Sequence, residues 1–274
     1  MTDFMLRAEA VSKDYVVGRN LLGQPSRLVR AVRNVSLSVA PGSTLALVGE
    51  SGSGKSTLGR CIAGLVRPSS GSIRLAGHDV LRLSGTSLMS FRRQVQTIFQ
   101  DPYSSLNPRR KIGDAIMDGM VIHKLYGPDE RRDRMQALLE RVGLHADHAK
   151  RFPHQFSGGQ RQRIAIARAL AVEPRFIVAD EAVSALDVSV KAQVLDLLAD
   201  LQAEHDLTYL FISHDLGVVR HFADRVAIMS AGELVEEGEC DQIFEAPGHE
   251  YTRNLIAAVP RPDPRRRRLR AAPQ

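Results

Sequence analysis

Short apolar segments alternate along this chain with longer segments in which apolar residues recur at helical spacing. Apolar and polar positions alternate over Val35–Val39, which is the period of a strand with one buried face. The run Thr44–Val48 is apolar after its first residue and leads directly into a glycine-rich segment, as a buried strand would. We therefore predict strands within residues 5–17 and 31–48.

Helix-like and strand-like patterns continue to alternate through much of the remaining chain. The predicted helices are Leu58–Leu65, Gln160–Ala171 and Val188–Glu204. The predicted strands are Ile73–Leu75, Val95–Phe99, Phe176–Ala179 and Thr208–Ile212, with two more in residues 225–238. Strands that alternate with helices predict an α/β fold, with a parallel sheet that is covered on both faces.

Residues 100–155 break this alternation. They are rich in Pro, Arg, Asp and Met, they show helical spacing over Arg131–Val142, and they carry few strand signals. We therefore expect a helical subdomain, at about residues 100–160, inserted into the α/β core. From Pro247 onward we expect the chain to be peripheral.

Composition places the chain among soluble proteins of ordinary size. Its 274 residues are 43% hydrophobic and 25% charged, which is enough apolar material for one large domain. No apolar run approaches the roughly 18 residues of a membrane helix, and no secretory signal is visible, so we expect a cytoplasmic location. Cys61 and Cys240 lie far apart without clustered His or further Cys, so neither a disulfide nor a zinc site is expected.

The net charge of +6 is concentrated at the C-terminus. Residues 261–270 contain six Arg and one Asp, so this segment accounts for +5 of the total. Because the excess is a tail and not a basic face, we expect no binding to nucleic acid. The tail is expected to be solvated and disordered, with contact to anionic lipid headgroups as the functional alternative.

The glycine-rich segment GESGSGKST, residues 49–57, has the spacing G-x-x-x-x-G-K-[ST] of a phosphate-binding loop. Its glycines allow backbone N–H groups to turn inward around phosphate oxygens, and the helix that follows adds a positive dipole end. Lys55 is expected to reach the β- and γ-phosphates, and the Ser56 hydroxyl to hold Mg²⁺. The buried strand before it and the helix after it favour an ATP site over a ligand-free Gly/Ser-rich loop. The expected binding residues are Gly49, Ser51, Gly52, Gly54, Lys55, Ser56 and Thr57.

Two carboxylates follow the apolar run at residues 176–179. The C-terminal end of a strand in an α/β sheet faces the ligand crevice. We expect Asp180 to act on Mg²⁺ and Glu181 to polarise the attacking water. A carboxylate at a strand end is often merely solvated, so this interpretation depends on the phosphate-binding loop.

The segment FSGGQ, residues 156–160, precedes a long predicted helix. Ser157 can cap this helix, and Gly158 and Gly159 expose N–H groups at its N-terminus. The segment is either a simple cap with a flexible entry or a second anion-binding helix terminus. A single bound nucleotide would not obviously need a second anion-binding helix terminus.

These segments, with Gln100, SALD (residues 184–187) and His214, occur in the order and spacing of ATP-binding cassette (ABC) transporter ATPase subunits. The chain resembles that family over nearly its whole length. The resemblance implies a P-loop NTPase core, made of a parallel sheet and an antiparallel β-subdomain, with an inserted helical subdomain. It also implies that two subunits meet head to tail, so that FSGGQ of one completes the ATP site begun by the loop of the other.

The resemblance further implies roles for individual residues. Gln100 would sense Mg²⁺ and the γ-phosphate, His214 would bond the γ-phosphate, and Tyr15 would stack on adenine. Asp187 would lie across the dimer interface. The residues that would contact a nucleotide held by the partner are Ser157, Gly159 and Gln160. Phe156 replaces the leucine that usually opens the family's LSGGQ motif, an apolar exchange that we expect to be tolerated.

Several segments look like the dipeptide and oligopeptide importer branch of this family. They are QDPYSSLNPR (residues 100–109), DEAVSALD (residues 180–187) and APGHEYTRNLIAAVP (residues 246–260). Residues 18–37 are similar to the second ATPase of an unequal pair, and HEYT stands where the branch usually has HPYT. We thus expect an ATPase domain over residues 1–246 and an importer-type C-terminal extension over residues 247–274. With Cys240 alone in that region, we expect no iron–sulfur cluster.

The implied protein is a peripheral ATPase on the cytoplasmic face of the cell membrane that powers peptide import. Its partners would be a second ATPase, two transmembrane permeases and a solute-binding protein. The alternatives are a soluble cassette ATPase, such as an accessory factor to a phosphonate-degrading complex, and an importer of nickel chelates, glutathione or sugars. DNA-repair ATPases of this family would carry long coiled-coil or zinc insertions, and translation ATPases would carry two cassettes in one chain. Neither feature is present in this sequence. A module with a dead site is disfavoured because Lys55, Asp180, Glu181 and His214 are all present.

Overall fold

The structure is a computed structural model, and it describes residues 4–17, 28–101 and 106–258. The strands are β1 Leu6–Val16, β2 Leu28–Val39, β3 Thr44–Val48, β4 Ser70–Leu75, β5 His78–Asp79, β6 Val95–Ile98, β7 Phe176–Asp180, β8 Thr208–Ser213, β9 Arg225–Ser230 and β10 Glu233–Glu239. The helices are α1 Lys55–Ile62, α2 Gly85–Gln94, α3 Ile112–Ile122, α4 Pro128–Arg141, α5 Gly158–Leu170, α6 Val188–His205, α7 Leu216–Phe222, α8 Cys240–Glu245 and α9 Glu250–Ala257. Short 3₁₀ turns lie at Val80–Arg82, Ala146–Lys150 and Pro153–Gln155.

The larger sheet has six strands in the order β10-β9-β3-β8-β7-β6. All neighbours are parallel except β10, which pairs antiparallel with β9. Every residue of β3, β7 and β8 is buried, as expected for strands whose two faces are both covered by other elements. The predicted parallel sheet is therefore confirmed, and the C-terminal ends of β3, β7 and β8 meet at one edge.

The smaller sheet is antiparallel and has the order β2-β1-β4-β5. The alternation predicted for Val35–Val39 is real, because Val35, Leu37 and Val39 are buried. Side chains of this sheet share one apolar cluster with Leu45 of β3 and Leu58 of α1. The smaller sheet therefore packs beside the helix that follows the glycine-rich loop.

A helical region lies between β6 and β7. Helices α3 and α4 pack on α5, and Ile116, Leu139 and Ile164 share a core with Ile177 of β7. Helix α2 has no counterpart in the sequence prediction. None of the described helices combines the length and apolar content of a membrane span.

The C-terminal helix α9 corrects one expectation. Tyr251, Leu255 and Ile256 pack against a cluster that contains Val48 of β3, and Thr252 is fully buried. The expectation that the chain is peripheral from residue 247 onward is therefore wrong for α9. The Arg-rich tail, residues 18–27 and residues 102–105 lie outside the described residues.

Candidate functional site

The loop between β3 and α1 turns on glycines that no other residue could replace without strain. Gly49, Gly52 and Gly54 have φ values of 153°, 82° and 101°. A Cβ atom at Gly49 would lie 2.1 Å from the carbonyl oxygen of Met229, and one at Gly54 would lie 2.2 Å from that of Ala31. The loop is therefore held tightly between β9 and β2.

Lys55 opens α1 and folds back into this loop. Its side-chain ammonium donates to the carbonyl oxygens of Gly49 and Glu50, each at 2.7 Å, and to Ser53 Oγ at 3.2 Å. The residue is only 4% exposed, and burial lowers the pKa of its amine although nearby carboxylates oppose the shift. The loop thus encloses a cation whose three hydrogen bonds go to loop oxygens, which the oxygens of an anionic ligand can replace.

Ser56 and Asp180 meet where α1 begins and β7 ends. Ser56 Oγ donates to Asp180 Oδ1 at 2.7 Å. Burial raises the pKa of Asp180, while the bond from Ser56 acts in the opposite direction. Mg²⁺ takes oxygen ligands and commonly binds one or two protein groups together with phosphate oxygens and water, so this pair fits it. Within the described ranges, no group of three or more His, Cys, Asp or Glu side chains could hold a metal on its own.

Glu181 and His214 lie at the same edge because β7 and β8 are adjacent and parallel. His214 Nδ1 is 3.4 Å from Glu181 Oε1. Glu181 has a φ of 52°, which is uncommon for a residue with a side chain and is held by a hydrogen bond from its N–H to the carbonyl of Ile212. The His214 imidazole is more than half exposed, whereas the Glu181 side chain is largely buried.

Two other predicted residues, Tyr15 and Gln100, lie at exposed positions. Tyr15 lies on β1, half exposed, with the Lys13 ammonium 5.0 Å from its ring centroid. Gln100 follows β6 at the same sheet edge as Asp180, and its side chain is exposed. Neither of the two hydrogen-bonds to the loop among the described residues.

The FSGGQ segment forms the N-terminus of α5. Ser157 Oγ accepts from the Gln160 N–H at 3.3 Å, and Gln160 Oε1 accepts from the Ser157 N–H at 3.0 Å, which is a capping box. Gly158 has open space where a Cβ would lie, whereas a Cβ at Gly159 would lie 2.4 Å from Val190 Cγ1. No hydrogen bond or ion pair joins residues 156–160 to residues 49–57 in the part of the chain that the structure describes. Ser157 and Gly158 at this helix terminus are exposed.

The segment that follows Glu181 leads to a second exposed feature. Asp187 is exposed at the start of α6, and the next side chain, Val188, is 84% exposed. One turn later, Lys191 Nζ donates to Asp215 Oδ2 at 2.8 Å. An ion pair thus ties the first turn of α6 to the residue after His214.

Sequence reasoning missed three contacts around this site. They are the Lys191–Asp215 ion pair, the Ser53 hydroxyl under Lys55, and the Tyr251 hydroxyl against the loop. Ser53 lies inside the recognised motif, so its spacing from Lys55 was a usable signal. Tyr251 lies in the HEYT segment, which the sequence marks only as a branch feature.

Comparison with known proteins identifies the family. Residues 32–184 match the model described as ABC transporter, and residues 235–274 match that for the oligopeptide/dipeptide transporter C-terminal region. The oligopeptide transport ATP-binding protein OppF of Streptococcus mutans is 52% identical over 86% of this chain and 77% of its own length. The glutathione import ATP-binding protein GsiA of Salmonella typhimurium is 51% identical over 97% of this chain, which spans 43% of that protein.

Solved structures agree with the fold. The ATP-binding cassette MJ0796, in a dimeric post-hydrolysis state bound to ADP and Pi, is 30% identical with a TM-score of 0.77, covering 86% of this chain and 99% of that one. The cbiO1 protein of Clostridium perfringens is 28% identical with a TM-score of 0.75, covering 89% of this chain and 92% of that one. The chain belongs to the ABC transporter family of ATP-binding proteins, and the predicted fold class is confirmed. Within that family it belongs to the oligopeptide/dipeptide importer branch.

Proposed function

We propose that this chain is the ATP-hydrolysing subunit of an ABC importer for di- and oligopeptides, bound peripherally to the cytoplasmic face of the cell membrane. The observation that carries the proposal is the enclosed cluster at one sheet edge, where Lys55, Ser56 and Asp180 lie beside Glu181 and His214. The peptide substrate is supported by the C-terminal family match and by the oligopeptide transport relative. Neither nucleic acid nor a second cofactor is part of the proposal.

The loop residues would bind the triphosphate of ATP. Lys55 would exchange its bonds to the loop oxygens for bonds to the β- and γ-phosphates, and Tyr15 would stack on adenine. The phosphates would give anionic partners to an amine whose charged form is disfavoured by burial. The other loop groups that would contact the phosphates are Gly49, Ser51, Gly52, Gly54, Ser56 and Thr57.

The carboxylates would organise hydrolysis. Ser56, Asp180 and Gln100 would hold Mg²⁺, which when bound offsets negative charge on the phosphates. Glu181 would accept a proton from the attacking water, and His214, 3.4 Å from that carboxylate, would bond the γ-phosphate. The uncommon backbone conformation of Glu181 supports a functional reason for its position.

A second ATPase subunit would complete the site. The exposed N-terminus of α5 would bring Ser157, Gly159 and Gln160 to the nucleotide on the partner's loop, and Asp187 would lie at the same interface. The capping box supports this role, because it organises the helix terminus while leaving it open on one side. Similarity of the N-terminal segment to one ATPase of an unequal pair favours a heterodimer.

A cavity of about 650 Å³ between α2 and α3 would receive a permease. Leu65, Met89 and Ile122 line it with side chains that are well exposed, and Arg92 and Asp118 add charge. An apolar groove with a polar rim suits a short amphipathic helix of a membrane subunit. Two permeases and a solute-binding protein would complete the importer.

The direct test is purification of the chain together with its membrane partners. ATP hydrolysis by the reconstituted complex should rise when the binding protein delivers a di- or oligopeptide, and not with a nickel chelate or a sugar. Stimulation by glutathione alone would replace the peptide assignment with glutathione import. If the chain purifies with partners that include no permease, the result would instead support a soluble accessory ATPase and contradict the importer.

A further inference from the structure

The C-terminal helix α9 is anchored at its start by a carboxylate of the larger sheet. Glu236, on β10, accepts the backbone N–H groups of Gly248 and His249 at 2.7 and 3.1 Å. His249 Nδ1 then accepts the N–H of Tyr251 at 3.1 Å and so caps the helix. The entry of α9 is therefore fixed relative to the sheet before the helix begins.

Apolar packing fixes the rotation of α9. Leu255 lies one helical turn after Tyr251 and is followed directly by Ile256, and all three pack on a cluster that includes Val48 and Ile228. Val48 is the last residue of β3, immediately before the glycine-rich loop. The buried face of α9 is thus seated where the polypeptide enters that loop.

The ring of Tyr251 ends in a direct contact with the loop. The backbone N–H of Glu50 donates to the Tyr251 hydroxyl at 3.2 Å, while the carbonyl of Glu50 accepts from Lys55 Nζ at 2.7 Å. Glu50 is therefore held from two sides, by Tyr251 of α9 outside the loop and by the buried Lys55 ammonium inside it. The Glu50 N–H belongs to the peptide that joins Gly49 and Glu50, and the Gly49 carbonyl of the same peptide also accepts from Lys55 Nζ at 2.7 Å. Rotation of this Glu50 peptide would therefore disturb an acceptor that Lys55 uses.

We propose that Tyr251 is a positioning residue for the phosphate-binding loop, and that α9 thereby forms part of the ATP site. This inference rests on the proposed function in one respect, that the loop binds nucleotide. Tyr251 does not contact the nucleotide in this proposal; it fixes the orientation of the Glu50 peptide and, through it, the acceptors around Lys55. Linkage then requires that ATP on the loop also tighten the seating of α9.

The variant Tyr251→Phe tests the proposal because it keeps the ring in the apolar cluster and removes only the hydroxyl. One lost hydrogen bond predicts an increase of about 2- to 10-fold in both Kd and KM for ATP. The kcat should stay within about twofold, since no group at the reacting phosphate changes. Amide hydrogen exchange over residues 49–55 should become faster in the variant without ATP.

Tyr126→Phe is the matched control. The Tyr126 hydroxyl donates to Glu173 at the helical region, so this variant also loses one tyrosine hydrogen bond but does so away from the loop. Its Kd and KM for ATP should equal those of the wild type. Unchanged exchange over residues 49–55 in Tyr251→Phe, or equal effects of the two variants on KM, would overturn the proposal. If the wild type fails to bind ATP, the proposed function fails, while the exchange measurement still decides the structural role of Tyr251.

Discussion

Two helix N-termini in this chain could face an anion, and they are built in opposite ways. The first turn of α1 is enclosed, with Lys55 buried in the loop and Ser56 bonded to Asp180. At the start of α5, Ser157 and Gly158 are exposed, and Ser157 and Gln160 exchange two hydrogen bonds within the same segment. The contrast teaches that the contacts of one half are made within the chain, whereas the other half is exposed, where we propose that it meets a second chain.

Burial opposes the charged forms of two groups in the enclosed half. Burial lowers the pKa of Lys55 and raises the pKa of Asp180, so the surroundings oppose the charged form of both groups. A triphosphate would give the amine an anionic partner, and a divalent cation would give the carboxylate a positive one. In the exposed half, Ser157 and Gln160 are neutral, so burial does not oppose a charge on either side chain.

The largest expected effect tests whether the enclosed half contains the base. Glu181→Gln keeps the size and backbone preference of the side chain and removes its ability to accept a proton. Hydrolysis of the ATP held by this chain's own loop should fall about 10²- to 10⁴-fold, while ATP affinity at that loop stays close to that of the wild type. Steady-state turnover and equilibrium binding of ATP measure the two quantities.

Glu233→Gln is the control for this variant. Glu233 lies at the exposed end of β10, where it pairs with Arg33 at 3.6 Å, so its neutralisation should leave turnover within about twofold. Normal turnover in Glu181→Gln would mean that another group activates the water. Loss of ATP binding in Glu181→Gln would mean instead that this carboxylate acts in binding.

The enclosed half could be predicted from sequence because its residues fall in two contiguous motifs next to buried strands. The contacts that join distant segments could not be predicted from the sequence, since no local pattern encodes them. Lys191 and Asp215 are 24 residues apart, and Glu50 and Tyr251 are 201 apart. Helix α2 was missed for a different reason: its sequence GTSLMSFRRQ opens with Gly, Thr and Ser, and only Phe91 is buried, so helical periodicity is faint.

The next effect tests whether the exposed half acts on a partner's nucleotide. In a complex whose copy of this chain carries Glu181→Gln, remaining hydrolysis comes from the partner's loop. Adding Ser157→Arg should lower that remainder about 10-fold or more, because extra atoms forced into a packed interface cost about 1–3 kcal/mol. Turnover of the two complexes, prepared in parallel, gives the comparison.

Loss of the helix cap must be separated from the effect of bulk. Ser157→Ala removes the same cap without adding atoms, and either variant should lose about 0.5–2 kcal/mol of stability from the cap alone. Similar melting temperatures with a much lower activity for Ser157→Arg would support the shared site. Unchanged residual hydrolysis in Ser157→Arg would count against it, because α5 would then lie away from the partner's nucleotide.

The smallest effect concerns the ion pair that joins the two halves. Lys191 lies one turn after Asp187 in the exposed half, and Asp215 follows His214 in the enclosed half. Burial alone would raise the pKa of Asp215, yet bonds from Lys191 and the N–H groups of α7 hold it below the usual 3.8. A carboxyl with a lowered pKa stabilises the fold above its unfolded pKa and loses that contribution as the pH falls through its folded pKa.

Lys191→Met should therefore lower the free energy of unfolding by about 0.2–1 kcal/mol at pH 7, a small value because solvent reaches both groups. The difference from the wild type should shrink as the pH falls below about 4, since Asp215 becomes protonated in both proteins. Urea unfolding at several pH values measures this, with Asp215→Asn as the control that keeps a helix-capping oxygen and removes the charge. If Lys191→Met costs as much stability in the Asp215→Asn background as in the wild type, the Lys191 stem stabilises the fold by packing, and the two halves are joined without a charge interaction.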